Sequence, residues 1–223
     1  MEYKEAIEEL KQMSNRNPKD LEGMKRFGIN VENALVIPIP KLRAFAKKIG
    51  ADHKLANELW GSKIHEARIL CGFIDDPSFV TEDQMERWVR DFNSWDVCDQ
   101  CCSSLFDKTP FAYKKAIEWS SRKEEYVKRA GFVMMAALAV HDKDANDKEF
   151  EQFLQIIKRE SGDERNFVRK AVNWALRQIG KRNKKLNKLA LRTANEIKRL
   201  DSKSARWIAS DAIRELKSKK FKD

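Results

Sequence analysis

Residues Asn93–Cys102 read NSWDVCDQCC, and the fold turns on what the three cysteines are. A metal site, a redox pair and plain core packing are the three readings. Cys98, Cys101, Cys102 and Leu105 follow i, i+3, i+4, i+7, the spacing of one buried stripe on an amphipathic helix. Zinc would need a fourth ligand, yet Cys71 and the histidines (His53, His65, His141) show no paired ligand spacing. Cys98-Asp-Gln-Cys101 has the length of a redox motif, but no βαβ pattern surrounds it. The stripe is therefore core, and the segment is a helix.

Helical period continues on both sides, and sustained alternation occurs nowhere. The 223 residues include only 8 Gly and 5 Pro, with 36% charged, a balance that suits a helix-rich protein. The pattern predicts about thirteen helices, near 2–13, 18–30, 40–49, 52–60, 63–74, 81–92, 94–107, 110–121, 123–140, 147–160, 164–181, 184–199 and 202–217. Thr81-Glu-Asp-Gln offers a capping box. Pro18 and Pro110 suit first-turn positions, and Val36-Ile-Pro-Ile-Pro40 reads as a loop before a helix from about Lys41. From residue 52 the helices pair, with starts about 29 to 37 residues apart, the period of two-helix repeats such as HEAT or armadillo. The expected fold class is all-α: one domain over 1–223, an irregular α-solenoid of HEAT-like helix pairs over about 52–217 behind N-terminal helices in about 1–50. A compact helix bundle is the alternative.

Charge is uneven along the chain. From Lys158 to the end there are 21 Lys+Arg against 8 Asp+Glu, while the first 157 residues hold 24 against 27. A basic last third reads as a polyanion footprint, by charge alone equally DNA or RNA, or as a solvated surface. No apolar run approaches ~20 residues, so no membrane span is expected. The acidic, amphipathic start MEYKEAIEEL is unlike a secretory signal. With unevenly placed cysteines this points to a reduced, cytoplasmic setting.

Some side chains fall outside the stripes. On the cysteine helix Trp95 sits roughly 70° and Asp99 roughly 110° from the stripe centre, one turn apart on the flank. Singly, each is an ordinary boundary residue. On helix 164–181 the stripe is Val168, Ala171, Val172, Ala175 and Ile179, and Trp174 lies roughly 120° from its centre, between Lys170 and Arg177. A ring there suits a ligand beside a phosphate backbone. Trp60, Trp88, Trp119 and Trp207 read as structural. Arg129 lies roughly 90° off the stripe of helix 123–140. These helices are successive second members of pairs, so in a solenoid their flanks would face one concave basic groove.

At these residues the chain resembles the alkylpurine DNA glycosylases of the AlkD type, which are built from HEAT-like repeats. That family's Trp-Asp-x-x-Asp is matched by Trp95-Asp96-Val97-Cys98-Asp99, its Arg-Ala by Arg129-Ala130, and its Ala-x-x-Trp-x-Leu-Arg by Ala171 to Arg177. Pro40-Lys-Leu-Arg43, Leu59-Trp60 and Glu66-Ala-Arg68 are fainter echoes. The chain departs in having Ser94 where members often carry a second tryptophan, and in its cysteine run. The resemblance implies a DNA repair glycosylase of the monofunctional kind, a hydrolase that removes N3- and N7-alkylated purines from duplex DNA as a monomer, with neither metal nor cofactor. Alkylation makes the base cationic and a good leaving group, and positive charge then develops on the deoxyribose. Asp99 is the expected stabiliser of that charge and positions water. Trp95 and Trp174 would contact the sugar by their ring faces. Arg129 would hold a phosphate, and Lys170, Arg177, Lys184 and Lys185 would meet the backbone. The competing expectation is a scaffold that binds nucleic acid or protein without catalysis.

Overall fold

The computed structural model describes residues 1–221. The described residues contain thirteen α-helices and no strand, and no helix among them is long and apolar enough to cross a membrane. The chain divides into two compact units, one ending at Thr109 and one beginning at Pro110.

The first unit holds α1 (Tyr3–Gln12), α2 (Pro18–Arg26), α3 (Ile39–Ile49), α4 (His53–Gly61), α5 (His65–Ile74), α6 (Glu82–Arg90) and α7 (Trp95–Ser104), then a 3-10 turn at Phe106–Lys108. Start signals act as the sequence suggests. Asn17 caps α2 through Asp20 N at 3.0 Å, with Pro18 in the first turn, and Thr81 caps α6 through Gln84 N. The Gln84 carboxamide donates to Asp75 at 2.6 Å, so the second half of the expected capping box goes to a long-range partner. The loop after Val36 is shorter than expected, because α3 already begins at Ile39.

Packing in this unit is aromatic. Trp60 of α4 and Trp88 of α6 stack at 4.1 Å, 2° from parallel. The Trp60 indole donates to Asp91, as does the Arg68 guanidinium, which also lies over the Trp60 ring. These two tryptophans are structural, as read from the pattern. Second helices meet side by side, α5 on α7. Gly72 permits it, since a Cβ there would lie 3.2 Å from the Cys101 backbone.

The second unit holds α8 (Ala112–Ser120), α9 (Glu125–His141), α10 (Asp147–Glu160), α11 (Asn166–Gly180), α12 (Lys184–Lys198) and α13 (Lys203–Ser218). Pro110 stands two residues before α8 rather than in its first turn. Again second helices are neighbours, α9 on α11 and α11 on α13, while α8 packs on α9 and α12 on α13. The tightest approach is at Gly131, where a Cβ would fall 2.5 Å from Ser120 N and 2.9 Å from Ala116 O. Backbone cannot yield as a side chain does. Gly131→Ala is therefore expected to lower stability by about 1–3 kcal/mol through overpacking, despite alanine's better helix propensity. A thermal melt at or above the wild-type midpoint would contradict the close contact.

Candidate active site

On α7 the buried face is the cysteine stripe: Val97, Cys98, Cys101 and Cys102 are enclosed. Burial pushes the thiols of Cys101, Cys102 and the nearby Cys71 well above the ordinary range. Among the described residues, no group of three His, Cys, Asp or Glu is placed to hold a metal ion. The flank bears Trp95 and Asp99, both part-exposed. The Trp95 indole N–H donates to the Phe27 carbonyl at 3.0 Å, which fixes the ring to the end of α2. The Asp99 carbonyl accepts the Ser103 hydroxyl at 2.6 Å.

The two carboxylates of the Trp-Asp-x-x-Asp segment have separate environments. Asp96 Oδ2 meets His65 Nε2 at 2.8 Å, and Oδ1 accepts the Ser94 hydroxyl at 2.6 Å and Val97 N at 3.0 Å. It ties the first turn of α7 to the start of α5. Burial favours the protonated acid, but the His65, Ser94 and Val97 bonds outweigh it and hold Asp96 below the usual carboxylate value. For His65, burial opposes the charge, and the bond and charge of Asp96, aided by Glu66, more than offset that and raise it above 6.5. The pair should therefore contribute fully below pH 6.5 and fade as pH rises through the raised His65 value. At the acid end it is lost only as pH falls from 3.8 through the lowered Asp96 value. Urea melts should give a larger stability gap between wild type and His65→Gln at about pH 5.5 than at about pH 8.5. An equal gap at both would mean the pair is neutral.

Behind this pair, Glu66 is buried and accepts three successive backbone N–H groups, from Leu35 (2.7 Å), Val36 (2.6 Å) and Ile37 (3.3 Å). Val36 sits at φ +62°, a left-handed position costly for a β-branched residue. His65, Glu66 and Asp96 line a cleft of about 390 Å³ together with Asp20 and Ile37.

In the second unit Trp174 is half-buried on α11 rather than exposed, and Lys170, one turn before it, is exposed. Arg129 is buried, and its guanidinium donates to the Phe167 carbonyl in the first turn of α11 at 2.6 Å. The sequence places it on a flank, but α11 covers that flank. Its neighbour Lys128 bridges Glu160 at 2.6 Å and Asp163 at 3.2 Å. Burial opposes charge on Asp163, yet Arg165, its backbone N–H and Lys128 bring the acid down to about 2. Arg177 pairs with Asp211 and Glu215 of α13. Lys184 and Lys185 are exposed, and Lys185 Nζ lies 2.7 Å from Glu151 and 3.7 Å from Asp147.

Sequence reasoning missed three features: the His65–Asp96 pair, the Glu66 anchor and Trp207. Trp207 is 40% exposed, with the Arg169 guanidinium 5.2 Å from its ring centroid. The signal was available. The buried residues of α13 are Ser204, Ala205, Ile208, Ala209, Ala212 and Leu216, and Trp207 stands roughly 140° from the centre of that stripe.

A profile of the DNA alkylation repair enzyme family matches residues 6–216. No functionally curated protein sequence matches the chain. Among solved structures, one described as "a new family of proteins related to the HEAT-like repeat DNA glycosylases with affinity for branched DNA structures" aligns at a TM-score of 0.79 and 19% identity, covering 100% of this chain and 99% of that one. It establishes an all-α fold of HEAT-like helix pairs. A designed armadillo repeat protein aligns at a TM-score of 0.39 and 12% identity over 95% of this chain and 92% of its own, too distant to carry an argument.

Proposed function

Because the chain belongs to the DNA alkylation repair enzyme family, we propose that it excises cationic N3- and N7-alkylated purines from duplex DNA by hydrolysing the N-glycosidic bond. The observation that carries this reading is the division of labour on α7. Asp96 holds His65 and the first turn of its own helix, and Asp99 is part-exposed on the flank, one turn from an anchored tryptophan. A carboxylate is a liability in a surface that only grips phosphates, because it repels them. It is an asset where positive charge develops on a deoxyribose. Asp99 stabilises that charge and orients water, and Trp95 offers its ring face to the electron-poor sugar.

The second unit contributes DNA contacts, with Trp174 as a further aromatic contact to sugar and Lys170 and Lys184 as cations toward phosphate. Arg129 and Arg177 support these through the helices they tie together, and Lys185 adds little while it is paired with Glu151. The monomer needs neither metal nor cofactor for this chemistry. The test is release of free 7-methylguanine and 3-methyladenine from methylated duplex DNA, with Trp174→Ala slowing release more than it weakens binding to undamaged duplex. Equal losses in both assays would reduce Trp174 to part of the grip.

A second reading, binding without excision, is favoured by the solved neighbour described as having affinity for branched DNA structures. Tight binding of a four-way junction with no base release from methylated DNA would establish it.

A further inference from the structure

The one exposed tryptophan of the second unit plays no part in the excision chemistry above. Trp207 projects from α13 with 40% of its surface exposed, so much of a large aromatic face is left to solvent. Arg169, from the neighbouring α11, lies over the ring at 5.2 Å. Its guanidinium donates to Asn166 at 3.2 Å, but its Nε is shielded from water and has no hydrogen-bond partner among the described residues. The far end of the guanidinium, where the Asn166 bond lies, is at the surface beside an open indole and has donors for a further acceptor.

The surroundings fix the sign of what would supply it. Lys170, Lys203 and Arg206 are exposed on the same two helices, Lys203 one turn before Trp207. Arg206 reaches Asp201 at 3.2 Å. The nearby carboxylate of Glu164 accepts the Ser204 N–H and the Ser202 hydroxyl at the start of α13. Those bonds, with the charges of Arg169 and Lys203, hold it below the usual value. All of this sits in the basic last third of the chain.

We propose that Trp207 and Arg169 form a stacking site for one unpaired nucleotide of a DNA strand, the base against the indole and its phosphate on the guanidinium. An aromatic face accepts any base, and a flanking cation meets the backbone, which is the chemistry of sequence-tolerant single-strand binding. A paired base inside a duplex hides its face, so this site discriminates strand from duplex, as the lysines cannot.

Anisotropy titrations with labelled oligo-dT and a blunt hairpin duplex test it. Trp207→Ala should weaken oligo-dT binding about ten-fold and leave the duplex within about two-fold. Trp207→Phe should recover most of the loss, and Arg169→Ala should lower the log–log salt slope on oligo-dT by about 0.7. The site is overturned if wild type fails to bind oligo-dT, if Trp207→Ala leaves that binding within two-fold, or if strand and duplex lose equally. The second outcome would leave the face to a protein partner. Undamaged DNA is the ligand throughout, so a failure to excise bases would sink the proposed function and leave this site standing.

Discussion

Asp99→Asn should bind duplex DNA as wild type does and release alkylated purines at least about 10²-fold more slowly, the scale of removing a main electrostatic stabiliser. Asparagine keeps the shape and removes the charge. Asp99 sits on the flank of α7 beside the cysteine stripe, and a melt checks that the substitution leaves folding intact. Asp96→Asn is the informative control. It disturbs the bond to His65 and should lower stability while retaining a larger share of excision. Single-turnover release from methylated duplex, with binding measured separately, distinguishes the two. Activity of Asp99→Asn within two- or three-fold of wild type would remove Asp99 from the mechanism.

The largest stability effect is expected at Glu66. Glu66→Ala strands the N–H groups of Leu35, Val36 and Ile37, which now share one buried carboxylate. Hydrogen bonds to a charged acceptor are worth about 1.5–3 kcal/mol each and do not add fully. A loss of about 3 kcal/mol or more follows, and a midpoint some 6–12 °C lower at this chain length. Val36 makes the loss worse, because its φ of +62° is held by these bonds. Glu66→Gln keeps a carbonyl acceptor and should fall between. A melt of Glu66→Ala within about 1 kcal/mol of wild type would show that the loop holds itself.

Such residues mark where the sequence stops being legible. Helix existence and pairing could be read because a buried stripe is local. Cys98, Cys101, Cys102 and Leu105 declare one whatever covers it, and they are enclosed. The flanks are another matter, since their burial depends on a neighbour far along the chain. Arg129 looks like any surface arginine until α11 arrives 38 residues later to accept its N–H. Glu66 and Asp96 are partnered 29 to 31 residues away, beyond any periodicity. Trp174 is misjudged for the same reason, half-covered where its angle suggested exposure. Trp207 is the opposite case, because its helix alone shows it facing outward and its apolar neighbours in sequence obscured that. The Trp-Asp-x-x-Asp segment could be recognised, but only the structure separates its two carboxylates.

The enclosed cysteines have a chemical consequence for a protein of this family. Agents that alkylate purines also react with thiols, and a thiolate is the best nucleophile a protein offers them. A repair protein with an accessible, low-pKa cysteine would be modified by the same exposure that creates its work. Here all four sulfurs are buried, and burial keeps Cys71, Cys101 and Cys102 in the unreactive protonated form. Iodoacetamide should label them only in the unfolded chain. The stripe that packs α7 thus also keeps these thiols out of reach of alkylating agents in solution.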